Sequence, residues 1–302
     1  MTAIGKTWMT GPGSMFASLL CLALYHPPAP AAELYDRTEP AMGTLARLVV
    51  EANDERAATH ALNAAFARIR EIELRLSDYL DTSEARQLEL APLNTPIPVS
   101  EDLFRVLQHG LLLARQTRGA FDPTLGHATR AWRSSGPEMS AAGNYRHLEL
   151  GPQSVTLRAA GIAFDFGGIA KGYAADEALK LLREHGFARA MAALSGDIAL
   201  GAPPSGRRGW RVGLGSPDQI EELAHCGVST SGDTNQTRQG QSHILDGRSA
   251  RPRPARPGAV TVVAPSAMEA DALATAIHAL GKEEAEKVLP PRADIRVLFR
   301  FF

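Results

Sequence analysis

Apolar and polar residues along the chain follow two different periods. From Thr44 the stretch TLARLVVEA alternates as a half-buried strand does, and residues 54–77 carry apolar side chains at helical spacing. The stretch EDLFRVLQHGLLLARQTRG predicts a second amphipathic helix, with Ser100 as its N-cap and Gly119 as its stop. Both kinds of element are therefore expected in the first half of the chain.

The second half of the chain predicts more strands than helices. Apolar alternation and turn residues predict strands at 145–150, 154–158, 162–165, 188–194, 197–201, 210–214, 259–264 and 294–299. Helical spacing predicts helices at 168–185, 266–280 and 282–289. Several strands follow one another without an intervening helix, which favours an α+β fold over a doubly wound sheet.

Composition points to a soluble globular protein. The chain has 302 residues, 44% of them hydrophobic, and a formal net charge of -1. We expect no nucleic acid partner, because the sequence has neither a strong basic excess nor a nucleic-acid-binding motif.

The N-terminus has the pattern of an export signal. Lys6 precedes an apolar run at 15–25, which is too short to span a bilayer, and small residues follow at 29–31. Residues 1–31 are therefore predicted to be cleaved, leaving a periplasmic protein with one cysteine, Cys226. A disordered start or a membrane anchor is the alternative, and the residues before Cys21 are a poor match to a lipid-attachment site.

The stretch GIAFDFGGIAKGYAAD (161–176) opens like a buried strand and places Lys171 at the predicted start of a helix. A helix N-terminus already carries partial positive charge, so a lysine there is mildly unfavourable without a nearby anion. Gly167 and Gly168 let backbone approach a ligand closely, and a phosphate is the natural partner. The alternative is a glycine-rich turn with a solvated lysine, since the spacing fits neither a Walker loop nor GxGxxG.

Two further segments carry candidate chemistry. Asp271 and Thr275 stand four residues apart in a predicted helix, so their oxygens share one face and suit Mg²⁺. The alternative is a solvated aspartate and a threonine bonded to its own helix. A loop and short strand at 228–252 contain Asp233, His243 and Asp246; a structural histidine and an acid/base pair are both open.

These segments together resemble the FAD:protein FMN transferase family, also known as the ApbE-like family. The resemblance is collinear over nearly all of the mature chain. It is carried by AMGT (41–44), LSDYLDTSE (76–84) with LN (93–94), AFDPTLG (120–126), DFGGIAKGYAAD (165–176), LSGDIALGAPP (194–204), VSTSGD (228–233), HILD (243–246) and DALATAIHALG (271–281).

The resemblance implies one two-lobed α+β domain over 32–302, with mixed or antiparallel sheets flanked by helices and the flavin nucleotide between the lobes. It implies transfer of the FMN moiety of FAD, with Mg²⁺, onto a Thr or Ser hydroxyl of an acceptor protein, and release of AMP. The implied acceptor is a flavoprotein subunit of a membrane-associated electron-transfer system. The anion beside Lys171 would then be the pyrophosphate of FAD.

The resemblance also assigns roles by position. It implies Asp271, Thr275 and the backbone carbonyl near Ala170 as metal ligands. His243, or Asp246 acting with it, is the candidate for taking the hydroxyl proton. The implied contacts to the flavin nucleotide are Met42, Tyr79, Ser83, Glu84, Phe121, Asp122, Asp165, Lys171, Gly196, Asp197 and Ser231.

This sequence departs from the family pattern in three places. HILD is followed by GRSA instead of a proline and Thr-Gly, TNQ follows the serine-glycine-acid segment, and no leucine follows Ser83-Glu84. Two other functions therefore stay open. A pyrophosphatase would split FAD with water at the same site, and a non-enzymatic exported FAD-binding protein would need no catalytic metal.

Overall fold

The computed structural model describes residues 32–135, 144–214, 219–233, 237–238, 240–255 and 258–300. The predicted export signal and the TNQ segment at 234–236 lie outside these residues. From Ala32 onward the described chain forms one compact unit. None of its described helices is long and apolar enough to cross a membrane.

Strands and helices are interleaved along the chain. In order they are β1 (Glu33–Ala41), β2 (Thr44–Ala52), α1 (Glu55–Leu76), α2 (Glu84–Leu88), β3 (Ile97–Pro98), α3 (Glu101–Gln116), α4 (Gly126–Ser135), a 3-10 turn (Tyr145–His147), β4 (Leu148–Gly151), β5 (Ser154–Leu157), α5 (Ala170–Glu184), β6 (Ala190–Leu194), β7 (Asp197–Leu200), β8 (Trp210–Gly213), β9 (Ile220–Leu223), β10 (Cys226–Gly232), β11 (Thr237–Arg238), β12 (Gln241–Asp246), β13 (Arg251–Pro254), β14 (Ala259–Ala264), α6 (Ala267–Leu280), α7 (Lys282–Val288) and β15 (Arg296–Arg300).

A seven-stranded sheet forms the centre of the fold, in the order β1-β2-β6-β7-β10-β14-β15. Every neighbouring pair of its strands is antiparallel, and β1–β2 and β6–β7 are hairpins with two-residue turns. Three smaller antiparallel sheets, β3-β5-β4, β8-β9 and β11-β12-β13, accompany it. The predicted α+β class with antiparallel sheets and flanking helices is confirmed.

Three helices pack against one another and against the central sheet. α1 contacts α5, α5 contacts α6, and α6 contacts β10 and β14. α1 begins after its N-cap Asp54 and buries an apolar stripe that includes Phe66 and Ile69. The buried residues of α5 and α6 are mainly alanine, so these two helices can approach closely.

Most predicted elements are confirmed with ends that differ by a residue or two. The strand predicted at 145–150 begins only at Leu148, because residues 145–147 form a 3-10 turn, and the strand predicted at 162–165 is wrong. Only Ala163 forms a bridge there, with Leu125. The backbone of this segment finds other partners: Phe164 N–H donates to the Glu89 carboxylate at 2.9 Å, and Asp165 N–H donates to a loop carbonyl. A buried apolar run thus satisfies its hydrogen bonds without joining a sheet.

A buried carboxylate joins α1, α3 and α5. Asp102 of α3 accepts hydrogen bonds from Arg68 and Arg75 of α1, and from the Tyr173 hydroxyl of α5 at 2.6 Å. Arg68 also binds Glu177 of α5 at 2.8 Å. Burial alone would raise the pKa of Asp102, but the hydrogen bonds from Arg68 and Tyr173 lower it. The three helices are therefore tied together at one charged point.

We expect Asp102→Asn to lower the free energy of unfolding by about 3 kcal/mol, because two partly buried arginines would lose their shared, buried carboxylate. The matched control is Glu101→Gln, one residue earlier, where the side chain is 67% exposed and pairs with Arg105. Glu101→Gln should change the free energy of unfolding by no more than about 0.5 kcal/mol. Urea denaturation of both variants measures the difference, and equal losses would contradict this account.

Candidate active site

The start of α5, one face of α6, the start of β7 and the middle of β10 meet at one place. Nζ of Lys171, in the first turn of α5, donates a 2.5 Å hydrogen bond to Oδ2 of Asp197. Oδ1 of Asp197 accepts a 2.6 Å hydrogen bond from Ser229 of β10. Asp271 of α6 lies 3.9 Å from the same ammonium group. We call Lys171, Asp197, Ser229 and Asp271 the Lys171 cluster.

Two glycines allow α5 and the residues before it to lie directly against α6. A Cβ at Gly168 would stand 2.7 Å from Cγ2 of Thr275. A Cβ at Gly172 would stand 2.2 Å from the carbonyl oxygen of Ala267 and 2.8 Å from Cβ of Asp271. Real Cβ atoms do not approach so closely, so these glycines set the distance between Lys171 and the α6 side chains.

The two helices exchange carboxylates at their N-termini. Oδ2 of Asp271, on α6, accepts the N–H of Gly172 in the first turn of α5 at 3.0 Å. In return Asp176, on α5, accepts the first two N–H groups of α6 at 2.9 and 2.8 Å. The N-cap position of α5 is Ile169, which makes no side-chain cap. Asp271 therefore supplies an acceptor that the sequence around the start of α5 lacks.

Together, burial and neighbouring charges leave the pKa values of two groups in this cluster, Lys171 and Asp271, above their usual values. Burial alone would lower the pKa of Lys171, but the charges of Asp271 and Asp197 outweigh it and raise the pKa. Burial and the nearby charge of Asp197 raise the pKa of Asp271 to about 7. The sequence predicted an external anion beside Lys171, and the structure gives that lysine a protein carboxylate as its direct partner.

Two hairpin turns lie side by side at this end of the sheet. Met42, with φ 50°, begins the β1–β2 turn, and Ser195, with φ 57°, begins the β6–β7 turn that contains Gly196. The N–H of Ser195 donates to the carbonyl of Leu45 at 3.1 Å, which fixes the two turns together. Because Asp197 follows the second turn directly, Gly196 lies next to the Lys171 cluster, and Met42 lies in the turn that is joined to it.

The oxygens on α6 fit a hard divalent cation. Asp271 and Thr275 both lie on the face of α6 that meets the α5 segment, and Thr275 Oγ1 lies 3.3 Å from Oγ of Ser231. Oδ1 of Asp271 accepts no hydrogen bond from the described residues. Ala170, whose carbonyl is the third predicted ligand, is the first residue of α5. A carboxylate, a hydroxyl and a carbonyl are oxygen ligands of the kind that Mg²⁺ takes.

Such a site depends on few protein charges. Among the residues that the structure describes, no group of three or more His, Cys, Asp or Glu side chains could hold a metal ion. A cation here would therefore need ligands from a hydroxyl, from backbone and from a bound phosphate, which is how Mg²⁺ is commonly held beside nucleotides.

Tyr79 and Asp165 belong to a second group of charged and aromatic side chains. The guanidinium of Arg133 lies 4.4 Å from the centre of the Tyr79 ring and forms an ion pair with Asp78. Burial raises the pKa of Asp78, and the charge of Asp165 raises it further. Tyr79 is 72% exposed, which leaves its ring accessible to a planar ligand.

Four of the predicted flavin contacts are used by the fold itself. Ser83 is fully buried and caps α2, while both carboxylate oxygens of Glu84 accept hydrogen bonds from Ser100. Asp122 accepts hydrogen bonds within its own loop, and Phe121 is buried in the core. The described contacts bring none of them to the Lys171 cluster, and their flavin contacts stay predictions.

His243 and Asp246 both lie on β12 but have different neighbours. The His243 ring lies 6.5 Å from the Trp132 ring of α4, measured between centroids. Both oxygens of Asp246 are bound by Arg248, through Nε at 2.8 Å and Nη2 at 2.5 Å, and Arg248 also binds Glu284 of α7. The described contacts thus pair Asp246 with Arg248 and not with His243.

Sequence reasoning missed several residues of this site. Ser229 was one hydroxyl among many in a polar segment, and only its partner, 32 positions away, distinguishes it. Asp176 and Gly172 stood inside the motif that was read for phosphate binding, and their spacing of four residues on one helix was the available signal. Arg133 gave no signal, because its partners come from distant parts of the chain.

We expect Gly172→Ala to destabilise the protein and to separate Lys171 from Asp271, since the added Cβ would overlap the backbone of Ala267. The matched control is Gly110→Ala in the middle of α3, where the Cβ would meet side-chain atoms of Pro123 at 3.3 and 3.4 Å and of Phe121 at 3.8 Å, and no backbone. Overpacking typically costs about 1–3 kcal/mol, whereas the control gains up to about 1 kcal/mol of helix propensity. Denaturation curves and crystal structures of both variants would test this, and an unchanged Lys171–Asp271 distance would refute it.

The raised pKa of Asp271 predicts a pH dependence of stability. An aspartate in the unfolded chain titrates near about 4, so the folded protein binds this proton more tightly than the unfolded chain does. The contribution of Asp271 to stability is therefore present at low pH and declines as pH rises from about 4 to about 7.

We expect Asp271→Asn to remove that decline when unfolding is followed across this range in a chelating buffer. Asp81→Asn, at a side chain that is 89% exposed, should keep the wild-type dependence. A decline that persists in Asp271→Asn would mean that another group causes it.

Comparison with known proteins agrees with this architecture. A sequence model of the ApbE family matches residues 42–299. The chain is 31% identical to the FAD:protein FMN transferase of Treponema pallidum, over 88% of this chain and 84% of that protein. It is 26% identical to the protein of the same name from Salmonella typhimurium, over 86% and 82%.

Solved structures give the same result. The flavin transferase ApbE from Vibrio cholerae superposes with a TM-score of 0.75 at 26% identity, over 89% of this chain and 93% of that one. The ApbE protein from Thermotoga maritima superposes with a TM-score of 0.75 at 26% identity, over 88% and 94%. Since the family model spans most of the chain and the T. pallidum relative is 31% identical, the chain belongs to the ApbE family.

Proposed function

We propose that this chain is a Mg²⁺-dependent FAD:protein FMN transferase. It moves the FMN moiety of FAD onto a Thr or Ser hydroxyl of an acceptor protein through a phosphoester bond and releases AMP. The observation that carries the proposal is the Lys171 cluster beside the Asp271–Thr275 face of α6, in a chain similar to relatives that bear this name. An ammonium at a helix start, next to hard oxygen ligands, is suited to a pyrophosphate.

The reaction is a phosphoryl-type transfer between two oxygens. The acceptor hydroxyl oxygen forms a bond to the FMN phosphorus, and the bond from that phosphorus to the bridging oxygen breaks. AMP leaves with the bridging oxygen and its electron pair, while the hydroxyl proton passes to a base. The protein therefore has to bind the pyrophosphate, hold the hydroxyl in line and accept one proton.

Lys171 binds the pyrophosphate in this proposal. The ammonium is already held by Asp197 and Asp271, so it is fixed in place before the nucleotide arrives. When bound by Asp271, Thr275 and the Ala170 carbonyl, Mg²⁺ would supply positive charge for the leaving AMP. Asp271 has to be deprotonated for that role, and its pKa of about 7 makes metal binding stronger above neutral pH.

His243 is the proposed general base. Both oxygens of Asp246 are bound by Arg248, which favours His243 over Asp246 for taking the hydroxyl proton. In this proposal Asp246 holds the turn after β12 in place. The N–H of Arg248 also donates to Asp246, at 3.1 Å, and supports that arrangement.

The remaining contacts and the partner are part of the same proposal. Met42, Gly196 and Ser231 surround the Lys171 cluster and contact the nucleotide, and the exposed ring of Tyr79 offers a stacking surface to the flavin. The acceptor is a flavoprotein subunit of a membrane-associated electron-transfer system, and the mature chain acts in the periplasm. These two points rest on the family resemblance and on the apolar run at 15–25.

The test is AMP release from FAD by the mature protein, with and without Mg²⁺ and with and without an acceptor domain, combined with covalent flavin fluorescence on the acceptor. We expect AMP only with metal and acceptor, in step with acceptor labelling. His243→Ala should lower the transfer rate about 10²- to 10⁴-fold, as loss of a positioned base does. His60→Ala, at an exposed position on α1, is the matched control and should leave the rate unchanged.

The other outcomes point to other functions. AMP and free FMN without acceptor would indicate a pyrophosphatase that uses water as the nucleophile. Tight FAD binding without AMP, for several acceptors, would indicate a binding protein. A His243→Ala rate within a few-fold of wild type would exclude His243 as the base.

A further inference from the structure

A buried carboxylate outside the Lys171 cluster connects the His243 strand to α6. Asp233, at the end of β10, is 4% exposed. Its Oδ1 accepts a 2.5 Å hydrogen bond from the hydroxyl of Ser242, and its Oδ2 lies 3.2 Å from Nε2 of His278 on α6. We call Asp233, Ser242 and His278 the Asp233 network.

Ser242 holds the backbone on both sides of His243. It is the residue before His243, and its hydroxyl oxygen accepts the N–H of Ile244, the residue after, at 3.0 Å. On its β13 side the strand ladder is weak at this point, because the register of β12 against β13 shifts between Gln241 and Leu245, while β11 pairs with β12 only as far as Ser242. The partner positions there are prolines, which donate no backbone hydrogen bond. The Ser242 hydroxyl therefore holds the backbone around His243, where the pairing of β12 with β13 is irregular.

The other end of the network lies beside the predicted metal ligands. His278 follows Thr275 by three residues on α6, so the two side chains are neighbours on the helix surface. Ser231, two residues before Asp233 on β10, contacts Thr275 at 3.3 Å between hydroxyl oxygens. Asp233 is thus held by α6 and by β10, the elements that also surround Thr275.

We propose that Asp233 is a positioning residue, which fixes the backbone of His243 relative to α6 through Ser242 and His278. This inference rests on the proposed function, in which His243 takes a proton while Asp271 and Thr275 serve the leaving group. In-line transfer requires base and leaving group at a fixed separation, and displacement by about 1 Å can cost about 100-fold in rate. The network supplies a direct mechanical link between them.

The test compares variants that break or keep the link. Ser242→Ala removes the bond beside His243, and His278→Leu removes the one at α6, whereas His278→Gln keeps a side-chain nitrogen donor. Ser249→Ala is the matched control, since its hydroxyl is exposed on the same hairpin and makes two long contacts, to the Asp246 carbonyl and from the Arg251 N–H, both at 3.4 Å. Each variant is measured for kcat, for KM toward FAD, and for the imidazole NMR signals of His243 in protein free of metal and FAD.

We expect Ser242→Ala and His278→Leu to lower kcat about 10- to 100-fold with KM for FAD unchanged, and to shift the His243 signals. His278→Gln should keep most of the wild-type kcat and leave the His243 signals close to their wild-type positions. Ser249→Ala should match wild type in both measurements. The double variant Ser242→Ala/His278→Leu should be no slower than the worse single one, because both changes act through the same carboxylate.

Two results would overturn the inference. Unchanged His243 signals in Ser242→Ala would mean that the hydroxyl does not fix that residue. A loss of stability in Ser242→Ala and His278→Leu with kcat and His243 signals at wild-type values would mean that Asp233 serves only the fold. If wild-type protein labels no acceptor, the proposed function fails, and the His243 signals still decide whether the network positions that ring.

Discussion

The site depends on one exchange of hydrogen bonds between α5 and α6. Each helix offers a carboxylate to the N-terminal N–H groups of the other: Asp271 binds the start of α5, and Asp176 binds the start of α6. The first N–H groups of a helix have no acceptor within their own helix, so each carboxylate provides an acceptor that would otherwise be missing. The same bonds fix Lys171, at one helix start, against the oxygens on the other helix. Position and stability of the site therefore have a common origin.

That exchange also restricts the residues around it. Gly168 and Gly172 have no space for a Cβ, and the buried residues of both helices are mainly alanine. Larger side chains would push the helices apart and lengthen every bond between them. The small residues in the stretch GGIAKGYAAD thus allow α5 and α6 to lie close together, in addition to leaving space for a ligand.

Local patterns in the sequence predicted those features of the fold and of the site that depend on residues close together in the chain. The shared face of Asp271 and Thr275 followed from a separation of four residues in one helix, and the helix bounds followed from the apolar period. The predictions failed or stayed incomplete where a partner comes from far along the chain. Segment 162–165 binds Glu89 and nearby loops and forms no strand. Likewise, nothing in the sequence indicated that Asp197 would hold Lys171.

The Lys171 cluster has a consequence for the order in which ligands arrive. One ammonium faces two carboxylates, so the cluster carries excess negative charge whenever Asp271 is ionised. A bare phosphate anion that approaches the cluster meets repulsion as well as attraction. Under the proposed function, a nucleotide that brings a divalent cation with it would meet two carboxylates that share that charge. The charge of the Lys171 cluster would therefore favour metal-bound dinucleotides over free phosphate.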